Sequence, residues 1–118
     1  MADRVIFIGF ANPVPGREQA AGKLFQEGAE YWGRLQAAGE IEGFDVVLLD
    51  PHGGDLGGFF LLKGEREKLA RLSASEEFQR LATRANLFVE HFGIVGGGIG
   101  EEVTRQMAAF LEAAADLG

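Results

Sequence analysis

The chain has 118 residues, no cysteine, 18 glycines and three prolines, with 18 acidic against 11 basic side chains for a formal charge of −7. Glycine at about 15% with no G-X-Y period and little proline excludes a collagen-like chain, and a hydrophobic content of 47% excludes a disordered one. Without cysteine there are no disulfides, thiol chemistry or cysteine-ligated metals, and the acidic balance would repel a nucleic-acid backbone.

The length fits one domain over 1–118. Met1-Ala2-Asp3-Arg4 runs directly into Val5 to Phe10, which is too short for a signal-peptide core or a membrane span. A cytoplasmic protein with neither a nucleic-acid nor a membrane partner is expected. The β-branched and aromatic run 4–10 predicts a strand, closed by the stiff loop Asn12-Pro13-Val14-Pro15-Gly16. A helix follows over 17–38, with Ala21, Leu24, Phe25, Gly28, Trp32 and Leu35 on one stripe. Three glycines lie inside it, each costing about 1 kcal/mol relative to alanine. Gly22 and Gly33, beside Ala29, suggest close approach to a neighbour. Gly28, on the apolar stripe, either lets the helix approach the sheet or leaves a gap.

Strands are predicted over 41–49 and 57–63, joined by the turn Asp50-Pro51-His52-Gly53-Gly54-Asp55. The run 65–72 is helical in composition. Ser75 is placed to cap a helix over 76–89, whose stripe holds Phe78, Leu81, Ala82, Ala85, Phe88 and Val89. Six of the 11 bases fall between Lys63 and Arg84, but Glu65, Glu67, Glu76 and Glu77 among them make this a solvated helix surface. A fourth strand over 91–97 and a last helix over 101–117 complete the chain. That last helix carries Val103, Met107, Phe110 and Ala114 on one face.

The order β-α-β-β-α-β-α predicts an α+β, ferredoxin-like sandwich with an extra C-terminal helix, its four-stranded antiparallel sheet covered by helices on one side. An antiparallel sheet with one wet face should alternate apolar and polar residues. These strands do not: Val5 and Phe7 oppose Ile6, Ile8 and Phe10, while Phe59 and Leu61 oppose Phe60 and Leu62. The uncovered face would exceed the apolar area that monomers usually expose, so a homodimer through the open sheet face is expected. The alternative is that the last helix folds over that face.

This element order, with strands apolar on both sides, resembles the dimeric α+β-barrel superfamily over nearly the whole chain. Three segments resemble a group of bacterial proteins without an assigned activity: Gly53-Gly54-Asp55-Leu56-Gly57-Gly58-Phe59, Ser75-Glu76-Glu77-Phe78-Gln79-Arg80-Leu81 and Phe92-Gly93-Ile94-Val95. The resemblance implies pairing of two ferredoxin-like sheets into one barrel. The superfamily includes cofactor-free monooxygenases, isomerases, dehalogenases and haem enzymes, so it narrows the fold more than the function. No motif carries a catalytic role onto a position of this chain.

Candidate chemistry is sparse. His52 in the loop between the second and third strands, flanked by Asp50 and Asp55, and His91 at the start of the fourth strand could act as general bases, with Asn86 as a polar partner. The simpler reading is a solvated turn for His52 and a strand-end or interface hydrogen bond for His91. No metal and no cofactor is expected. The run 93–100 leads into a helix but lacks a phosphate-binding pattern, and Glu101 and Glu102 would repel an anion there. Asp45 interrupts the apolar second strand, as either an edge exposure or a functional carboxylate, and Lys63 reaches water. The topology places Phe10, Phe25, Gly28, Tyr31, Trp32 and Phe60 together as the lining of a pocket for a small apolar or aromatic ligand. A core filled by Trp32 is the alternative. Three functions remain open: a dimeric α+β-barrel protein binding such a ligand, a cofactor-free monooxygenase- or isomerase-like enzyme, and a purely structural subunit.

Overall fold

The computed structural model describes residues 2–117. Strand β1 (Arg4–Phe10) leads through the proline loop to helix α1 (Glu18–Ala37), and β2 (Gly43–Leu48) and β3 (Gly58–Gly64) follow. Helices α2 (Arg66–Ala74) and α3 (Glu76–Phe88), strand β4 (Gly93–Gly98) and helix α4 (Glu101–Ala115) complete the order. The break between α2 and α3 is Ser75, extended at ψ 148°, whose hydroxyl accepts from the Phe78 N–H at 3.3 Å. This is the cap that its position before Glu76 and Glu77 predicts.

The sheet order is β2-β3-β1-β4 with every pairing antiparallel, which is the ferredoxin-like arrangement. The register sets Ile8 opposite both Phe60 and Ile94, and Ile6 opposite Leu62. These side chains share one face, on which α1 and α3 lie. Leu62 is fully buried there, with Ile41 just ahead of β2 and Trp32 of α1 nearly so.

The opposite face carries Phe7, Val47, Phe59, Leu61 and Val95. The Phe7 and Phe59 rings lie 4.9 Å apart. Phe7 lies flat across Gly9, where a Cβ would come within 2.7 Å of its ring. Near the β2 edge Lys63 pairs with Asp45 at 2.8 Å. Asp45 is therefore an ion-paired strand residue, and Lys63 is held by it instead of reaching out alone.

No helix covers this second face. Helix α4 is attached at its first turn and packs broadly on no other element. The carboxylate of Glu102, a residue 8% exposed, is gripped there by Arg66 at 3.3 Å and by Arg105, and Arg105 also reaches Asp3 at 3.1 Å. Beyond that clamp Val103, Met107, Phe110 and Leu111 are exposed. The radius of gyration, 16.4 Å, exceeds the roughly 13–14 Å of a compact chain this long. The alternative of a last helix folded over the sheet is thus overturned. The ion-pair clamp aims α4 away, and its apolar stripe stays about half or more exposed.

The helix-edge glycines also differ from expectation. A Cβ on Gly22 or Gly33 would meet nothing within 4 Å, so neither marks a close approach within the chain. Both sit inside α1 at the solvent surface. Gly22→Ala and Gly33→Ala should each stabilise the protein by about 0.5–1 kcal/mol, read as a higher urea midpoint with an unchanged slope.

Candidate functional site

Two helices cross the sheet with small residues turned toward each other. Helix α1 presents Ala21 and Gly28, and α3 presents Ala82 and Ala85. Large side chains in these places would fill the interface. Small ones leave a cavity of about 250 Å³ between α1, α3 and the sheet. Ile8, Phe10, Phe60 and Ile94 line it from the sheet, and Phe25 and Trp32 from α1. Phe78, Leu81 and Val89 close the far wall.

One end is shaped by backbone pairing. The Ala11 N–H donates to the Glu90 carbonyl at 2.9 Å, and the Glu90 N–H donates to the Asn12 carbonyl at 2.8 Å. Pro13 bridges to Val89 alongside. This ties the segment after β1 to the segment before β4, and Ala11, Pro13 and Phe92 line the cavity from there. Pro13, Glu18, Gly22 and Ile94 are its exposed lining residues and form the rim. Glu18 is the one ionisable side chain of the lining.

Aromatic rings dominate the floor. Phe25 and Phe60 are 5.0 Å apart, and Phe10 stands edge-on to Phe25 at 6.0 Å. Trp32 meets Phe60 and Phe78, each at 5.9 Å, and so joins α1 to both the sheet and α3. Its indole N–H is buried with no hydrogen-bond partner, the one such side-chain atom among the described residues. Leaving a buried donor unmatched costs about 1–3 kcal/mol. The donor sits beside Gly28, where a Cβ would lie 3.7 Å from Nε1 and 3.9 Å from the Phe60 ring.

Five of the six residues that the sequence groups as a pocket therefore line one cavity: Phe10, Phe25, Gly28, Trp32 and Phe60. Tyr31 does not. Although buried, it faces a charged groove between α1 and α3 formed with Glu27, Glu30, Arg34, Glu77, Arg80 and Arg84. Successive helical residues point about 100° apart, so the neighbour of a pocket residue need not share its pocket. Burial pushes the Tyr31 phenol above its ordinary value, and a side-chain hydrogen bond with Ser75 works against this. The Arg34 guanidinium stacks 5.5 Å from its ring.

The polar candidates lie elsewhere. Asn86 is on the exposed side of α3. His91 is an exposed turn residue at φ 52°, two positions before β4 begins. His52 is engaged by its own loop: Nδ1 accepts from the Gly54 N–H at 3.2 Å, which leaves Nε2–H to donate to the Leu56 carbonyl at 2.7 Å. None of the three lines the cavity. Among the described residues no group of three or more His, Asp and Glu side chains could hold a metal ion, and no helix is long and apolar enough to cross a membrane. The α3 wall was not grouped with the pocket from the sequence. Its signal was the pair Ala82 and Ala85, small residues on a stripe that faces Ala21 and Gly28.

Solved structures share this fold. A dimeric ferredoxin-like protein of unknown function from Bacteroides fragilis is 12% identical, with 81% of this chain and 96% of that chain covered at a TM-score of 0.57. An ethyl tert-butyl ether d (ethd) family protein from Bacillus halodurans is 11% identical, with 85% and 100% covered at 0.62. A dimeric ferredoxin-like protein of unknown function from Jannaschia sp. is 12% identical, with 82% and 98% covered at 0.60. No family model matches the chain, and no curated protein matches it. At these identities the likeness is one of fold, and it agrees with the ferredoxin-like arrangement of the sheet and helices.

The groove beside the cavity has a pH signature. Arg84 holds Glu27 through two hydrogen bonds, at 2.7 and 3.3 Å, and draws its carboxyl below the ordinary 4.5. Arg105 and Gln106 lower the Glu102 carboxyl in the same way. A carboxyl depressed in the folded state stabilises fully above its unfolded pKa and stops doing so as pH falls through the folded one. Urea midpoints should therefore drop between about pH 5 and pH 3, and Glu27→Gln should flatten part of that drop.

Proposed function

We propose that this protein binds a small apolar molecule in the cavity between α1, α3 and the sheet, and does so as a homodimer closed through the open sheet face. The observation that carries the first part is a cavity of about 250 Å³ walled almost entirely by aliphatic and aromatic side chains. About 150 Å³ of apolar cavity accommodates benzene, so this one suits a molecule of roughly ten non-hydrogen atoms. A purely structural subunit would have a closed core instead. Acid–base catalysis by the chain's own side chains would call for an ionisable group in the interior, and the only one lining the cavity, Glu18, is at the rim. Binding is therefore the reading the geometry favours. The described family of the Bacillus halodurans neighbour, linked to a small branched ether, is compatible with such a ligand.

The dimer rests on apolar surface that no helix of the chain covers. Phe7, Val47, Phe59, Leu61 and Val95 form one apolar face, and the α4 stripe adds Val103, Met107 and Phe110. Burying apolar area returns about 25 cal/mol per Å², so two such faces gain by meeting. Two neighbours of the same fold are described as dimeric.

Trp32 is the one tryptophan, so its emission reports on the cavity. Tetralin, with ten carbons, should shift that emission and raise the melting temperature in proportion to its occupancy. Gly28→Leu, which places a side chain beside Nε1, should weaken tetralin binding on the order of tenfold or more. Light scattering at micromolar concentration should give twice the monomer mass. Unchanged emission and melting with tetralin would overturn the binding role, and a monomer would overturn the pairing.

A further inference from the structure

We infer that the cavity selects a neutral molecule that is hydrocarbon except for one hydrogen-bond acceptor, a carbonyl or ether oxygen, placed at Trp32 Nε1. This rests on the binding role proposed above and specifies the class of ligand. The carrying observation is the indole N–H: Trp32 is 1% exposed, lines the cavity, and its donor has no partner. Gly28, the residue one turn earlier, has no side chain to cover that nitrogen, and a Cβ there would pack 3.7 Å from it. A tryptophan used only for bulk could be replaced by phenylalanine without burying a donor.

Water does not fill this role well. A buried water needs two to four polar partners, and the side chains around the donor supply one. Gly28 and Phe60, which line the cavity with Trp32, carry no polar side-chain atom. An acceptor oxygen on an otherwise apolar molecule needs only the one donor, while its hydrocarbon part meets Phe25, Phe60 and Leu81.

Charge narrows the class further. No lysine or arginine lines the cavity, so a carboxylate or phosphate would be buried without a counter-charge. Glu18 at the rim and the formal charge of −7 add repulsion against anions. A second hydroxyl or amide on the ligand would find no side-chain partner deep in the site.

A matched pair of probes tests this: 1-tetralone, which carries a carbonyl, and tetralin, which lacks it. Calorimetry on the full chain would give both affinities for the native protein and for Trp32→Phe. The affinity of 1-tetralone relative to tetralin should be about fivefold higher in the native protein than in the variant, the worth of one hydrogen bond. The comparison of ratios cancels the carbonyl's own desolvation. The lone indole gives one N–H resonance in a nitrogen-15 correlation spectrum, and this arm needs no variant. 1-Tetralone should move that proton downfield, and tetralin should not. Equal ratios in both proteins, or an indole proton indifferent to the carbonyl, would overturn the acceptor while leaving apolar binding intact. Failure of both probes to bind the native protein would overturn the cavity's binding role and the acceptor together.

Discussion

The helix layer meets the sheet around one central side chain. Trp32 lies between α1, the Phe60 ring of β3 and the Phe78 ring of α3, nearly inaccessible to solvent. A large aromatic side chain buries more apolar area than an aliphatic one and prefers offset or edge contacts, which fix relative orientation as well as distance. Its bulk props the layers apart on the side where Gly28, Ala21, Ala82 and Ala85 are too small to close them. The packed part of the core and the cavity are thus two results of the same placement.

A second constraint acts on the other side of the sheet. Strands joined by right-handed crossovers put their helices on one face. Yet Phe7, Phe59 and Leu61 occupy the other, and Phe7 can lie flat only because Gly9 has no side chain. The charged residues there are spent near an edge, as the Asp45–Lys63 pair, and leave the centre of the face apolar. Helix α4 could have covered it. The Arg66–Glu102–Arg105–Asp3 network instead fixes its first turn and directs the rest of its apolar stripe outward. The uncovered sheet face and the exposed helix stripe then belong to one surface problem, which the proposed second copy would solve.

Apart from Glu18 at the rim, charged and titratable groups are distributed away from the cavity. Glu27 and Arg84, with Arg34 and Glu77, stitch α1 to α3 across the outer groove. His52 holds its own loop closed with both ring nitrogens. What remains for the interior is a set of hydrocarbon walls and one N–H. Chemistry of that kind recognises shape and a single acceptor more readily than charge.

The strand and helix order, the Ser75 cap and the two-sided apolar strands were legible from the residues alone. Each depends on local periodicity or on a side chain bonding to backbone three residues away. The grouping of Phe10, Phe25, Gly28, Trp32 and Phe60 was legible too, because the topology places β1, α1 and β3 side by side. Several features were decided only by the tertiary structure. Tyr31 turned to the groove because a helix rotates each residue away from its neighbour. Gly22 and Gly33 met solvent because no second element came to that edge. The direction of α4 depended on ion pairs between residues far apart in the chain, from Asp3 to Arg105, which no local pattern encodes. The unmatched N–H of Trp32 is of the same kind: a lone tryptophan in a sequence carries a donor, and only the packing around it determines whether that donor has a partner.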